Sequence, residues 1–192
     1  MSTWNAIAAT SRTILGLLEG SYPSDFGKLT FALVHASAYQ GAPIPAGFTL
    51  CLYRVGINGP LRRVPRTGPN GIRFRPSLAL DLHYLLTPWA DNVETQQSLL
   101  GWGMRRIEDN PILTAGMLNH AAGPPNVFAS HETVELVFDP LALADFSNLW
   151  DKLEPRMQTS VTYIARMILI DSEIEQPEGP LGPPRAFDPP RA

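Results

Sequence analysis

Residues 78–92 read LALDLHYLLTPWADN, and this stretch joins two elements that decide the fold. Leu78 to Leu86 alternates imperfectly between apolar and polar residues and is predicted to form a strand. The following Asp91-Asn92-Val93-Glu94 has the pattern of a capping box, which predicts the start of a helix. Asn110-Pro111 should end that helix, and its buried face should contain Leu99, Leu100, Gly103 and Ile107.

The segments on either side predict two more amphipathic helices. The first should use Ser2 or Thr3 as its N-cap and Gly20 as its terminator, because its apolar residues follow helical spacing. That stripe consists of Trp4, Ile7, Ser11, Ile14, Leu15 and Leu18. Asp139-Pro140 indicates another helix start, since proline is favoured at the first helical position. This helix should end at Pro155 and bury Leu143, Phe146, Leu149, Trp150 and Leu153.

Four other segments are predicted to be strands, because β-branched and aromatic residues are frequent in them. They are Leu29 to Tyr39, Phe48 to Ile57, Thr133 to Phe138 and Ser160 to Ile170. The element order is therefore α-β-β-β-α-β-α-β. This order predicts an α+β fold, with a mixed, mostly antiparallel sheet flanked by about three helices.

The composition excludes several classes of protein. Among 192 residues, 15 Lys and Arg stand against 18 Asp and Glu, a formal net charge of -3, which argues against wholesale disorder and against a generally basic nucleic-acid binder. The single cysteine, Cys51, cannot form an internal disulfide and is expected to be a small buried apolar residue. No secretion signal and no membrane-spanning run is recognisable, so we expect the chain to fold in the cytoplasm.

Proline marks the expected domain boundary. Six of the 19 prolines fall in the last sixteen residues, between glycines and with little that could pack. Proline removes backbone donors and favours extended chain, so this segment is predicted to be an extended or disordered tail. The predicted organisation is a domain of residues 1–171 and a proline-rich tail of residues 172–192.

Charge is segregated along the chain. No acidic residue occurs between Asp25 and Asp81, whereas an arginine-rich loop spans residues 58–76. Arginine suits contacts with carboxylates or phosphates, so this region is a candidate for binding a protein or a nucleic acid. The candidate contact residues are Arg54, Arg62, Arg63, Arg66, Arg73 and Arg75. A solvated loop without a partner is the alternative.

The predicted tail begins with acidic residues, namely Asp171, Glu173, Glu175 and Glu178. Opposite charges would let it lie across the arginine-rich loop of the same chain or of another copy.

Catalytic patterns are fragmentary. Asp81 and His83 should lie on one face of a strand, where they could form a charge-relay pair or two metal ligands. The simpler interpretation is a strand histidine that pairs with a neighbouring carboxylate. His35, His120 and His131 are too scattered to indicate a site. We therefore predict no enzymatic activity, no metal and no cofactor.

Several segments, taken in order, resemble a known family. They are NAIAATSRTILGLLEG at 5–20, LCLYRVGING at 50–59, LALDLHYLLTPWADN at 78–92, LLGWGMRRIEDNPIL at 99–113, VELVFDPLALADFSNLWDKLE at 134–154 and SVTYIARMILIDS at 160–172. These segments are similar to the N-terminal domains of tail-terminator or cap proteins of phage-tail-like contractile injection particles. The resemblance covers Trp4 to Ser172.

The resemblance implies a structural role. Members of this family cap the distal end of a rigid tube inside a contractile sheath, as a hexameric ring that stops polymerisation. It implies that the partners are further copies of the chain and the tube and sheath proteins, without a small-molecule substrate and without direct insertion into a membrane. The net charge of -3 and the lack of a recognisable binding fold argue against nucleic acid as a partner. The resemblance also implies assembly in a bacterial cytoplasm, within a particle that is released or attached to a membrane.

Overall fold

The computed structural model describes residues 3–41, 43–60, 66–68, 71–124, 126–153 and 157–176. Four helices lie within these ranges, namely α1 (Ala6–Glu19), α2 (Val93–Glu108), α3 (Ala115–Ala121) and α4 (Leu143–Leu153). The strands are β1 (Thr30–Leu33), β2 (Gly47–Ile57), β3 (Arg66–Thr67), β4 (Arg73–Phe74), β5 (Leu78–Trp89), β6 (Ile112–Thr114), β7 (Thr133–Phe138) and β8 (Val161–Ile170). The predicted α+β class is confirmed.

Six strands form one sheet in the order β1-β2-β5-β8-β7-β6, and β3 pairs with β4 in a separate hairpin. Only β1 and β2 pair in parallel; the other neighbours in the six-stranded sheet are antiparallel. The predicted strand at Leu78 to Leu86 is therefore the centre of the fold, because β5 pairs with β2 on one side and with β8 on the other.

Each face of the sheet has its own core, because successive side chains of a strand point to opposite faces. Leu82, Tyr84 and Leu86 of β5 pack in the cluster that also contains residues of α1, α2 and α3. Leu85 and Trp89 point the other way, into a smaller cluster with α4 and a short 3-10 helix at Ala36–Gln40. The sheet thus lies between two layers of helix.

The region predicted as one strand from Leu29 to Tyr39 is divided. Only Thr30–Leu33 is strand, and Ala36–Gln40 turns into the 3-10 helix. Tyr39 explains the break, since its ring is buried and its hydroxyl lies 3.2 Å from Oγ1 of Thr49 and 3.4 Å from Oγ1 of Thr87. A continuous strand would carry Tyr39 away from these partners on β2 and β5.

The N-terminal ends of the helices agree only in part with those predicted from the sequence. Asn5 occupies the N-cap position of α1, without a capping side-chain bond, and Trp4 is 71% exposed rather than part of the buried stripe. Asn92 caps α2, where its side chain accepts a bond from the amide of Thr95 at 2.8 Å. The helix predicted from Asp139-Pro140 begins at Leu143, whose side chain is 79% exposed.

Two elements that the sequence did not predict are β6 and α3. Both are short, with three and seven residues, so neither has enough residues for a periodic pattern. Asn119 fixes α3 against the following loop, since its side chain donates to the carbonyl of Phe128 and accepts from the amide of Phe128. A fourth helix therefore covers the larger core.

Candidate interaction surface

The arginine-rich region contains a small hairpin of β3 and β4, in which Arg66 faces Phe74 and Thr67 faces Arg73. It lies where β2 ends and β5 begins, so it projects from one end of the six-stranded sheet. The turn is tight, because Gly68 donates to the carbonyl of Ile72 at 2.8 Å and Gly71 adopts a φ of 76°. Such a backbone conformation favours glycine.

The start of the predicted tail lies along this hairpin. The amide of Arg75 donates to the carbonyl of Ile174 at 3.0 Å, and the amide of Gln176 donates to the carbonyl of Arg73 at 2.8 Å. Phe74 and Glu175 form an antiparallel bridge. Residues 174–176 therefore lie along β4 through one antiparallel bridge and two backbone hydrogen bonds. Within the described ranges, the acidic segment contacts the arginine-rich region of its own chain.

Arg66 holds the two parts together. Its guanidinium lies 4.4 Å from the centre of the Phe74 ring and 3.6 Å from the Asp171 carboxylate. It also donates to the carbonyl of Ser172 at 3.4 Å. Asp171 in turn accepts a bond from the Ser77 hydroxyl at 2.7 Å, which connects the segment to the start of β5. Arg66 is thus occupied within the chain rather than presented to a partner.

The other predicted contact residues are placed differently. Arg54 on β2 and Arg73 and Arg75 on the hairpin are exposed. In the part of the chain that the structure describes, none of these three forms an ion pair with a carboxylate. Arg62 and Arg63 lie outside the described residues.

Exposed apolar side chains lie on the two strands that flank the arginine-rich region, and the sequence pattern did not predict their exposure. Val55 and Ile57 at the end of β2 are 49% and 53% exposed, and Leu78 at the start of β5 is 47% exposed. All three belong to strands whose other apolar residues are buried or half-buried, so the sequence pattern could not distinguish them. Apolar side chains next to exposed arginines are typical of a protein-binding surface.

Asp81 and His83 bind different partners. His83 Nδ1 lies 3.2 Å from Oδ2 of Asp139, so the histidine pairs with a carboxylate from outside its strand. Asp81 accepts bonds from the Asn58 amide at 3.0 Å and from the backbone amide of Met167 at 3.3 Å. His83 therefore pairs with a carboxylate, but the expected local partner was wrong, because Asp139 and not Asp81 lies beside it.

Asp81 has a structural task. The pairing of β5 with β8 shifts register between Leu80 and Leu82, and Met167 on β8 has a φ of 65°. A β-bulge leaves an amide without its ladder partner. The Asp81 carboxylate accepts that amide bond at Met167 and so stabilises the bulge.

Burial shifts the pKa of two side chains on β2, Cys51 and Tyr53. Burial raises the pKa of the Cys51 thiol to about 11, which keeps it protonated and unreactive. Burial, with the Asp139 carboxylate nearby, raises the pKa of Tyr53 to about 12. Neither group is poised for chemistry near neutral pH.

The described ranges contain no group of three or more His, Cys, Asp or Glu side chains placed to hold a metal ion. None of the helices in those ranges combines the length and the apolar character needed to cross a lipid bilayer.

Two solved structures share this fold over nearly the whole chain. One is the PVC sheath/tube terminator of an extracellular contractile injection system in its extended state, with a TM-score of 0.60 and 17% identity. The other is the tube-terminating cap of the anti-feeding prophage, with a TM-score of 0.54 and 14% identity. The matches cover 100% and 95% of this chain but 66% and 61% of the other chains, so this chain spans less than two thirds of their length.

The sequence itself matches a family model. The model of the Pvc16 N-terminal domain aligns with residues 9–182, which is most of the chain. No curated protein sequence matches. The resemblance drawn from the segments between Trp4 and Ser172 is confirmed, since the family model and both structures point to the same group. The chain belongs to the Pvc16 N-terminal domain family.

Proposed function

We propose that this chain is a structural terminator, which closes the distal end of the tube and sheath of a contractile injection particle and stops their growth. The observation that carries the proposal is the family match over residues 9–182 together with a fold shared, over 100% of this chain, with a sheath/tube terminator. A second structure with this fold is a tube-terminating cap. Both similar structures therefore come from proteins that end tubes.

We also propose that six copies form a closed ring on the tube and that the tube and sheath proteins are their partners. A cap with this role needs self-complementary contacts around the ring and needs no catalytic group. The buried, proton-retaining Cys51 and the structural use of Asp81 agree with a role without enzymatic activity. We place assembly in a bacterial cytoplasm, followed by incorporation into the particle.

We further propose that the arginine-rich region contacts a neighbouring protein. In this proposal Arg54, Arg62, Arg63, Arg73 and Arg75 supply the positive charge, and Arg66 acts by holding the hairpin in position. The predicted division into a domain of residues 1–171 and a proline-rich tail of residues 172–192 belongs to the same proposal. The first residues of the tail would then be anchored on the hairpin, as the bonds of 174–176 suggest.

The test is a reconstitution of the particle from its co-expressed genes with and without this chain. Electron microscopy of the purified particles would measure the length distribution of tube and sheath. We expect a narrow distribution with the chain present and heterogeneous or unstable sheath–tube complexes without it. Supplying the wild-type chain from a second plasmid should restore uniform length and serves as the control.

Particles of normal length and stability in the absence of the chain would contradict the terminator role. Binding of an oligonucleotide that weakens steeply with salt would instead favour a nucleic-acid module. The structure gives that alternative little support, because the exposed Glu173 and Glu175 lie on the segment next to the arginines.

A further inference from the structure

Residues 173–176 lie along the outer edge of β4, and we call these four residues the strap. All of them are exposed. The amide of Arg75 donates to the carbonyl of Ile174 at 3.0 Å. The amide of Gln176 donates to the carbonyl of Arg73 at 2.8 Å. These two backbone bonds and the bridge between them are the contacts that hold the strap on β4 in the described part of the chain.

The residues just before the strap are held more firmly. The carboxylate of Asp171 accepts a bond from the Ser77 hydroxyl at 2.7 Å and lies 3.6 Å from Arg66, with 9% of the Asp171 side chain exposed. The amide of Ile174 donates to the hydroxyl of Ser172 at 3.2 Å rather than to β4. Opening of the strap therefore requires rotation of the backbone after Ser172 and leaves the buried contacts of Asp171 in place.

The strap buries little that would keep it closed. Ile174, its one apolar residue, is 55% exposed, and the other three residues are exposed as well. The two hydrogen bonds are opposed by the conformational entropy lost when four residues are ordered. Segments of this kind open without unfolding the rest of the domain. An open strap leaves the carbonyl of Arg73 and the amide of Arg75 free on the edge of β4.

The strap does not match the charges of the strand that it covers. Glu175 forms the antiparallel bridge with β4, and the residues on either side of such a pair also face each other. Ile174 therefore lies opposite Arg75, and in the same way Gln176 lies opposite Arg73. Both arginines are exposed, and within the described ranges neither forms an ion pair with a carboxylate. The glutamates of the strap alternate with these positions and so lie on the other face.

We propose that the outer edge of β4 binds an extended acidic strand of a neighbouring protein, and that the strap is an autoinhibitory segment which this strand displaces. The incoming strand runs antiparallel to β4 and takes over the two backbone bonds of the strap. Its carboxylates, two residues apart, lie opposite Arg75 and Arg73, where the strap has an isoleucine and a glutamine. An apolar residue between them faces the half-buried Phe74. Opposite charges across a strand pair stabilise it, so the acidic strand has an advantage over the strap.

This inference rests on the proposed contact between the arginine-rich region and a neighbouring protein, and it names the chemistry of that contact. The strap is tethered beside β4, so it competes at a high effective concentration, and only a strand with better complementarity displaces it. In the free chain the edge is covered, which opposes pairing with unrelated strands.

Two capped peptides test the site. The acidic peptide is STEVETSG, and the neutral peptide STQVQTSG lacks only the two carboxylates. In the full-length chain, Gln176→Pro removes the amide that bonds to Arg73 and so opens the strap, whereas the matched control Gln176→Ala keeps that amide. A third variant adds Arg73→Gln and Arg75→Gln to Gln176→Pro. Titration of the isotope-labelled proteins, followed by NMR, measures the dissociation constants, and circular dichroism verifies folding.

We expect the acidic peptide to shift the amide resonances of Arg73 and Arg75 and to leave those of β6 unchanged. It should bind Gln176→Pro about 10-fold more tightly than the wild type or Gln176→Ala, because a strap closed in about 90% of molecules lowers the apparent affinity by that factor. Loss of two opposite-charge pairs should weaken binding to Gln176→Pro about 10-fold, whether the carboxylates or the arginines are removed.

No binding of the acidic peptide to Gln176→Pro at millimolar concentration, or equal affinities of the two peptides, would overturn the acidic-strand site. Equal affinities of Gln176→Pro and the wild type would overturn the autoinhibitory role of the strap. If the acidic peptide does not bind while particles without the chain lose uniform length, the strand site is wrong and the terminator role stands. If the peptide binds as expected but such particles have normal length, the site stands and the terminator role falls.

Discussion

Replacing Arg66 with alanine should loosen the hairpin and the segment 171–176 while the six-stranded sheet stays folded. The guanidinium lies 4.4 Å from the Phe74 ring centre and 3.6 Å from the Asp171 carboxylate, with 21% of the side chain exposed. A cation–π contact and a partly exposed ion pair each contribute about 1 kcal/mol. Their loss should lower the local opening free energy by about 2 kcal/mol, which is roughly a 30-fold change in the opening equilibrium.

Amide hydrogen exchange followed by NMR measures this directly, at the amides of Arg75 and Gln176 that bond across the hairpin and the segment. Both should exchange roughly 30-fold faster in Arg66→Ala, whereas amides of the central strand β5 should be unchanged. Arg73→Ala is the matched control, because Arg73 is exposed on the same hairpin and contributes only its backbone carbonyl. Equal effects of the two substitutions, or an Arg66→Ala effect spread evenly over the sheet, would refute the role assigned to Arg66.

Three further predictions concern the sheet and its cores. A Cβ at Gly103 would lie 2.7 Å from Cζ of Phe48, so Gly103→Ala should destabilise the fold by about 1–3 kcal/mol, seen as a lower denaturation midpoint in urea at unchanged m-value. Met167→Gly should stabilise it by about 1 kcal/mol in the same assay, since glycine accepts the φ of 65° without strain; an unchanged midpoint would contradict this. Burial raises the pKa of Cys51 to about 11, so a thiol-specific reagent at pH 8 should react only with unfolded protein. The free energy of unfolding that comes from the protonated thiol is fully present below the ordinary pKa of cysteine. It should be lost as pH rises towards about 11, because the unfolded chain then releases the proton first.

The elements that sequence predicted best are those with long periodic patterns. β5 was recognised from its apolar run, and α2 from its cap and buried face, because local signals and burial agree there. The 3-10 helix that contains Tyr39 could not be predicted in this way. The tyrosine's aromatic ring favours a strand locally, but its hydroxyl bonds with Thr49 and Thr87, which are distant in sequence, bend the chain into a 3-10 helix.

The candidate surface was predicted only in part. The arginines were visible as a charge pattern, yet nothing local distinguishes Arg66, which is tied to Asp171, from Arg73, which is exposed. The partner of His83 was missed for the same reason, since Asp139 lies 56 residues away along the chain. Exposed apolar residues such as Leu78 lie in strands that otherwise look buried, and only the placement of the helices decides which of them remain uncovered.

The position of β8 in the sheet has a consequence for synthesis on the ribosome. β8 lies between β5 and β7 and pairs with both, although it follows both in the chain. Until residues 161–170 have been translated, β1, β2 and β5 have no connection through the sheet to the β6–β7 pair. Contacts so distant in sequence form late. A chain that ends before residue 161 would therefore lack the strand that joins the two parts of the sheet.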